Sequence, residues 1–362
     1  MALAFVFTSG LIARSDAQQS PPLLRLSFSP DGEYVLAQDA EDITVLATDP
    51  FAVRLQIPAQ GAALAQFTPN SDALVFVRSG TLVDADKITV GHGTPKVERW
   101  SLADDRLAGS IPLPDLVCGT SVLAPDGRTY ACNDYNGRLR VIDVASSETI
   151  LDKEKFVRPV YSWIGPYRYD YTTDLGGAVL CFSPDGRVLI AIGTANRQWS
   201  NSSGLIWDVL ERRPIQVKGL AHFVKDGEAF AFLDSGHVLI EHWRWTKGDA
   251  HRARIVTFPD GRLTAIVTIP DTRNPRRAAD PDFLVVTPLT VQYVPLYGGS
   301  VRTWVPTDVT VAVELATGQM IVSQSGTLDV YGDHYVTEVR LGEIGLYERG
   351  KGLQASVVLH KN

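Results

Sequence analysis

Cys181-Phe182-Ser183-Pro184-Asp185-Gly186 runs into the apolar stretch Val188 to Ile192, and copies of this arrangement recur along the chain. Phe28-Ser29-Pro30-Asp31-Gly32 and Leu123-Ala124-Pro125-Asp126-Gly127 are close copies. Phe67-Thr68-Pro69-Asn70 and Phe223-Val224-Lys225-Asp226-Gly227 are eroded ones. Pro presets the backbone angle of the first turn position, Asp suits the second, and Gly supplies a left-handed residue. The stretch therefore reads as a three-residue hairpin loop between antiparallel strands. Two residues before each Pro or its equivalent stands Phe28, Phe67, Leu123, Phe182 or Phe223, and two further back Leu26, Ala65, Ser121, Leu180 or Ala221. That is the period of one strand face, and the column is expected to be core.

Motif spacings of 39 (Pro30 to Pro69) and 41 (Pro184 to Lys225) fit repeats of four short strands, for which roughly 40 to 45 residues is usual. The third unit shows the rhythm cleanly: Cys118 to Leu123, Thr129 to Cys132, Leu139 to Val144, Thr149 to Leu151. The fourth has Ala178 to Phe182, Val188 to Ile192, Gly204 to Val209 and Pro214 to Val217. The fifth is read from Ala221-His222-Phe223 to Ile269, the sixth from Phe283 to Val322, and the seventh from Thr327 to Leu359, turning at Tyr331-Gly332-Asp333. Seven such units fill the 362 residues. The expected fold is all-β: a seven-bladed β-propeller of four-stranded antiparallel blades, with no strand exchange where the ring closes.

The Trp207-Asp208 pair ends the third strand of its unit, and with the turn motifs it resembles the WD40 repeat family. The resemblance implies a single WD40-like domain over residues 18–362. Only one unit carries Trp-Asp, and Gly91-His92 and Gly236-His237 fall outside the places where that family sets its Gly-His dipeptide. Trp100 and Trp207 stand at matching strand ends and are read as packing positions.

The chain is 45% hydrophobic and 21% charged with a net charge of −7, and its Lys and Arg are scattered. Nucleic-acid binding needs clustered cations, so it is excluded, and no stretch reaches the length of a membrane span. Cys118, Cys132 and Cys181 contain no Cys-x-x-Cys spacing. If Pro125-Asp126-Gly127 is the loop, Cys118 faces Asp134 and Cys132 faces Thr120. That diagonal is too long for an unstrained bridge, and buried thiols are expected.

Neither Gly-x-Ser-x-Gly, His-Glu-x-x-His, a phosphate loop nor an acidic calcium loop occurs, so no catalytic residue, cofactor or metal ligand is assigned. His237, Glu241, His242, Asp249 and His251 form a dense group of potential ligands, but on a strand His237 and His242 point to opposite faces. A non-catalytic module holding a protein, peptide or glycan is the preferred reading. The alternative is a lactonase-like hydrolytic propeller with its site at the central channel.

In an up-and-down blade the first-to-second and third-to-fourth turns share one face, and the short turns belong there. The insertions Ser79 to Lys96, Asn196 to Ser203, Gly298 to Asp308 and Arg158 to Gly177 all fall on the other. The last of these carries Arg158, Tyr161, Trp163, Tyr167, Arg168, Tyr169 and Tyr171, with Trp199 and Trp304 on companion insertions. Aromatics and Arg on long loops mark recognition surfaces, so these nine residues are the expected contacts of a monomer's partner.

Residues Ala2 to Ala13 form an apolar stretch, and Ser15 and Ala17 supply the small side chains of a signal-peptidase site. Residues 1–17 are thus expected to be a signal for export to the periplasm or exterior. N-terminal sequencing of the native protein should begin at Gln18; a retained Met1 or Ala2 contradicts export.

Overall fold

The computed structural model describes residues 25–359 except for 64, 79–93, 115–117, 135–136, 157–160, 165–166, 171–177, 194–202, 217–228, 242–251, 269–275, 287–288, 297–298, 307–308, 318–319, 324–326 and 341. It contains seven four-stranded antiparallel sheets, each a blade. Blade one is Arg25–Phe28, Tyr34–Gln38, Asp42–Thr48 and Phe51–Pro58, paired in chain order from inner to outer strand. The inner strands of the next four blades are Gln66–Phe67, Cys118–Leu123, Ala178–Phe182 and Ala229–Asp234. Blade six is Arg276–Arg277, Phe283–Val286, Thr310–Glu314 and Met320–Ser323, and blade seven runs from Leu328–Tyr331 to Gly352–Val358.

Seven apolar interfaces join these blades, because the second strand of each points alternate residues at its two neighbours. Leu36 enters the interface of blades one and two, whereas Val35 and Ala37 enter that of blades one and seven. Val188, Ile190 and Ile192 face blade five across Phe232 and Val238, whereas Leu189 faces blade three across Ala131 and Val141. Both faces of a blade are thus covered, which is why these strands read as unbroken apolar runs.

The recurring turn is one residue longer than the sequence suggested. Ser183 N donates to Val188 O at 2.8 Å, so the loop holds the four residues Pro184 to Arg187. The Ser183 hydroxyl accepts from Val188 N at 2.9 Å and donates to Asp185 Oδ1 at 2.5 Å, and Asp185 Oδ1 accepts from Arg187 N at 3.1 Å. Gly186 sits at φ 73°. Ser29 and Asp31 repeat these bonds, and in blade two Thr68 supplies the hydroxyl while Ser71, at φ 57°, takes the left-handed place of Gly.

The turns also lock adjacent blades. Asp31 N donates to Ser71 Oγ at 3.2 Å, Ser235 Oγ to Asp185 Oδ2 at 3.3 Å, and Gly332 N to Asp280 Oδ2 at 3.1 Å. At Gly32 a β-carbon would lie 2.2 Å from the Tyr331 ring, which packs on Phe28, so no larger residue fits at that contact. The buried Asp329 of blade seven accepts from Phe28 N of blade one at 2.8 Å and from Ala279 N of blade six at 3.3 Å. The ring closes here by packing, without strand exchange.

Three expectations are corrected. Blade five's inner strand is Ala229–Asp234, which pairs with His237–Glu241, so its inner hairpin turns at Ser235-Gly236; the expected turn Lys225-Asp226-Gly227, with Phe223 and Ala221, lies outside the described residues. Blade six begins at Arg276, and Asp280-Pro281-Asp282 forms its inner turn. Cys118 and Cys132 are bridged, with α-carbons 5.5 Å apart. Cys132 faces Ser121 rather than Thr120, and the register shifts so that Gly119 is left over between Cys118 and Thr120. This bulge shortens the diagonal to bridging distance.

Replacing Ser183 with Ala strands the buried Val188 N–H. The expected loss is about 1–3 kcal/mol, read from the denaturant midpoint; a midpoint equal to wild type contradicts the role given to the hydroxyl.

Candidate interaction face

The two faces differ in how they are built. On the short-turn face the third-to-fourth turns are capped by side chains. Asp208 Oδ1 accepts from Leu210 N at 3.1 Å and Glu211 N at 2.9 Å, and its Oδ2 accepts from Arg187 at 3.2 Å, so the Asp of the Trp-Asp pair serves the turn. Burial alone pushes the Asp208 carboxyl up, but these donors outweigh it and hold the group below the ordinary range. Ion pairs bridge blades at the rim: Arg54 to Asp105 and Arg212 to Glu148, each at 2.9 Å. His237 Nδ1 lies 2.9 Å from Asp234 on this same face.

The opposite face carries two β-ribbons outside the blades. Tyr161–Ile164 pairs with Tyr167–Asp170 in the connection from blade three to blade four. Leu289–Leu296 pairs with Gly299–Pro306 between the second and third strands of blade six. Trp163 is in register with Arg168, Tyr161 with Asp170, Val291 with Trp304, and Tyr293 with Arg302. Both ribbons leave from the blade ends that carry the second-to-third and inter-blade connections, so they project on one side of the ring.

At the base of this face the blade ends are rich in buried polar groups. Arg78, the last residue before the blade-two insertion, donates to Pro58 O at 3.0 Å, Gln60 O at 2.6 Å and Glu98 at 3.0 Å, and lies over the Phe76 ring. Glu98, 3% exposed, also accepts from Lys96 at 2.9 Å and Trp100 Nε1 at 3.2 Å. Burial would raise its carboxyl, but the three donors hold it below the glutamate range. Where blade seven meets blade one the balance is reversed. Burial pushes the Glu338 carboxyl up, only partly offset by Gly342 N–H at 3.1 Å, and the charge of nearby Asp39 adds to the rise. In blade three, Asp134 Oδ2 accepts from Arg140 at 3.2 Å, and Arg138 forms a two-pronged ion pair with Asp152.

Of the expected contacts, Tyr161, Trp163, Tyr167, Arg168 and Tyr169 fall on the first ribbon and Trp304 on the second. Arg158, Tyr171 and Trp199 lie outside the described residues. Trp207 is a packing residue between blades three and four, as its repeat position implied. Sequence reasoning treated the insertion of blade six as a loop. The run Leu289 to Leu296, followed by Tyr297-Gly298, was the available signal of a hairpin. Among the described residues no group of three His, Cys, Asp or Glu is placed to hold a metal, and no helix is long and apolar enough to cross a membrane.

No protein family and no curated protein matches this chain in sequence. Among solved structures, the chain is similar to the Cps50 (Swd1) β-propeller domain of Myceliophteria thermophila, with a TM-score of 0.48 and 10% identity, over 92% of this chain and 94% of that one.

Proposed function

We propose that this chain is a non-catalytic interaction propeller of WD40-like type that holds a protein, peptide or glycan on the face bearing the two ribbons. The observation that carries this reading is the one-sidedness of the insertions. Ribbons at Tyr161–Asp170 and Leu289–Pro306 both leave the ring on one side, while the other side is closed by short, internally hydrogen-bonded turns. Long elements on a rigid scaffold are where recognition concentrates, and Tyr, Trp and Arg dominate binding energy. Tyr167, Arg168 and Tyr169, adjoining the ribbon's turn, are the contacts proposed to matter most. Export is part of the proposal, supported by the N-terminal apolar stretch and by the Cys118–Cys132 bridge, since such bridges persist in oxidising compartments.

With a partner isolated by affinity capture from native extract, Tyr167→Ala, Arg168→Ala and Tyr169→Ala combined should weaken binding by more than about 1 kcal/mol. Unchanged affinity in the folded triple variant, or a footprint confined to the short-turn face, overturns the proposal.

A further inference from the structure

The Cys118–Cys132 bridge has surroundings that cross-linking alone does not require. Cys132 is 1% exposed, whereas Cys118, at the start of the inner strand, is half-buried, so Cys118 is the more accessible end of the bridge. The buried Tyr130 hydroxyl lies 3.5 Å from Cys118 Sγ, and since a bridged sulfur has no proton, the phenol is the donor. Arg140 stands directly opposite Cys132 in the pairing of the second and third strands. Residues so placed have β-carbons about 4.5–5.5 Å apart on the same side of the sheet. The Arg140 guanidinium gives one nitrogen to Asp134, while its buried Nε has no hydrogen-bond partner among the described residues.

The geometry points to Cys118–Cys132 as a thiol–disulfide exchange site for a dithiol reductant, with Cys118 the attacked sulfur and Arg140 a positioning residue for the departing one. A thiolate of the dithiol bonds to Cys118 Sγ as the S–S bond breaks, and the electron pair leaves on Cys132 Sγ beside the Arg140 cation. The second thiol of the dithiol then displaces Cys118, forming the reductant's own disulfide. Two electrons pass from the dithiol to the bridge, and its two protons end on Cys118 and Cys132. Asp134 faces Cys118 across the register shift and draws the guanidinium into this corner. Reduction would release the bulged start of the inner strand on the face that carries the ribbons.

The test uses the native full-length protein in two arms. Glutathione, a monothiol that stalls at the mixed disulfide, should leave its adduct on Cys118, located by peptide mass mapping. Dithiothreitol should reduce the bridge without denaturant, about tenfold more slowly in Arg140→Gln and within threefold of wild type in Arg140→Lys, which keeps the charge. An adduct on Cys132, reduction only after unfolding, or equal rates in wild type and Arg140→Gln overturns the inference. If Arg140→Gln does not fold, the adduct position and the Arg140→Lys rate decide, and a tenfold loss in Arg140→Lys counts against it.

Discussion

A buried carboxylate sits where the first and last blades pack together. Asp329 accepts backbone N–H groups from blade one and blade six while sitting in blade seven itself. Such charge-assisted bonds contribute roughly 1.5–3 kcal/mol each, and a carboxylate removed from water without them would be strongly unfavourable. The dependence is mutual: the packed ring keeps water from the carboxylate, and the carboxylate fixes how the first and last blades meet. A linear array of repeats would leave Leu26, Phe28, Val35 and Ala37 bare at one end and Val336, Ile344 and Leu346 bare at the other. Closure buries both sets in one cluster, so each blade gains two neighbours and no terminal cap is needed.

Closure also fits the different construction of the two faces. On the short-turn face the inner turns of blades one and four spend their hydroxyl and carboxylate on their own backbone and also bond a turn of the next blade, as Asp31 N does with Ser71. Lengthening such a turn would break both sets of bonds. At the other end the connections carry fewer obligations, and the buried groups sit at their bases. Arg78 pins the exit of blade one to the root of the blade-two insertion, and Gln38 pins the same connection through Ala63 O and Ala65 N. Connections at that end can lengthen without disturbing the ring, and two of them, from blade three to blade four and within blade six, hold the ribbons.

The blades were legible because their signal is local and repeated. Pro, Asp and Gly at fixed offsets mark a turn, and a buried aromatic two residues earlier gives the strand phase, as Phe28, Phe67 and Phe182 show. Blade five was misplaced because Lys225-Asp226-Gly227 imitates that turn in sequence, while the turn of the inner hairpin, Ser235-Gly236, lacks Pro. Asp280-Pro281-Asp282 went unread because its Pro follows the turn Asp instead of preceding it, two positions later in the loop. The Cys118–Cys132 bridge was missed because a bulge at Gly119 changes distances that strict alternation assumes. Asp329 left a different trace: an acidic residue between Leu328 and Val330 on an inner strand is costly unless bonded, and its partners are distant in sequence. Of the interaction face, the aromatic and Arg content could be read in advance, but pairing inside an insertion follows no repeat template.

If closure at Asp329 makes the ring one cooperative unit, the Phe28 amide that it holds opens only when the whole ring opens. Native-state hydrogen exchange measures this directly. The account predicts that Phe28 N–H exchanges with the same opening free energy as Leu189 and Ile240, which lie in the buried second strands of blades four and five. An amide at Phe28 that exchanges orders of magnitude faster, while Leu189 and Ile240 stay protected, would contradict it.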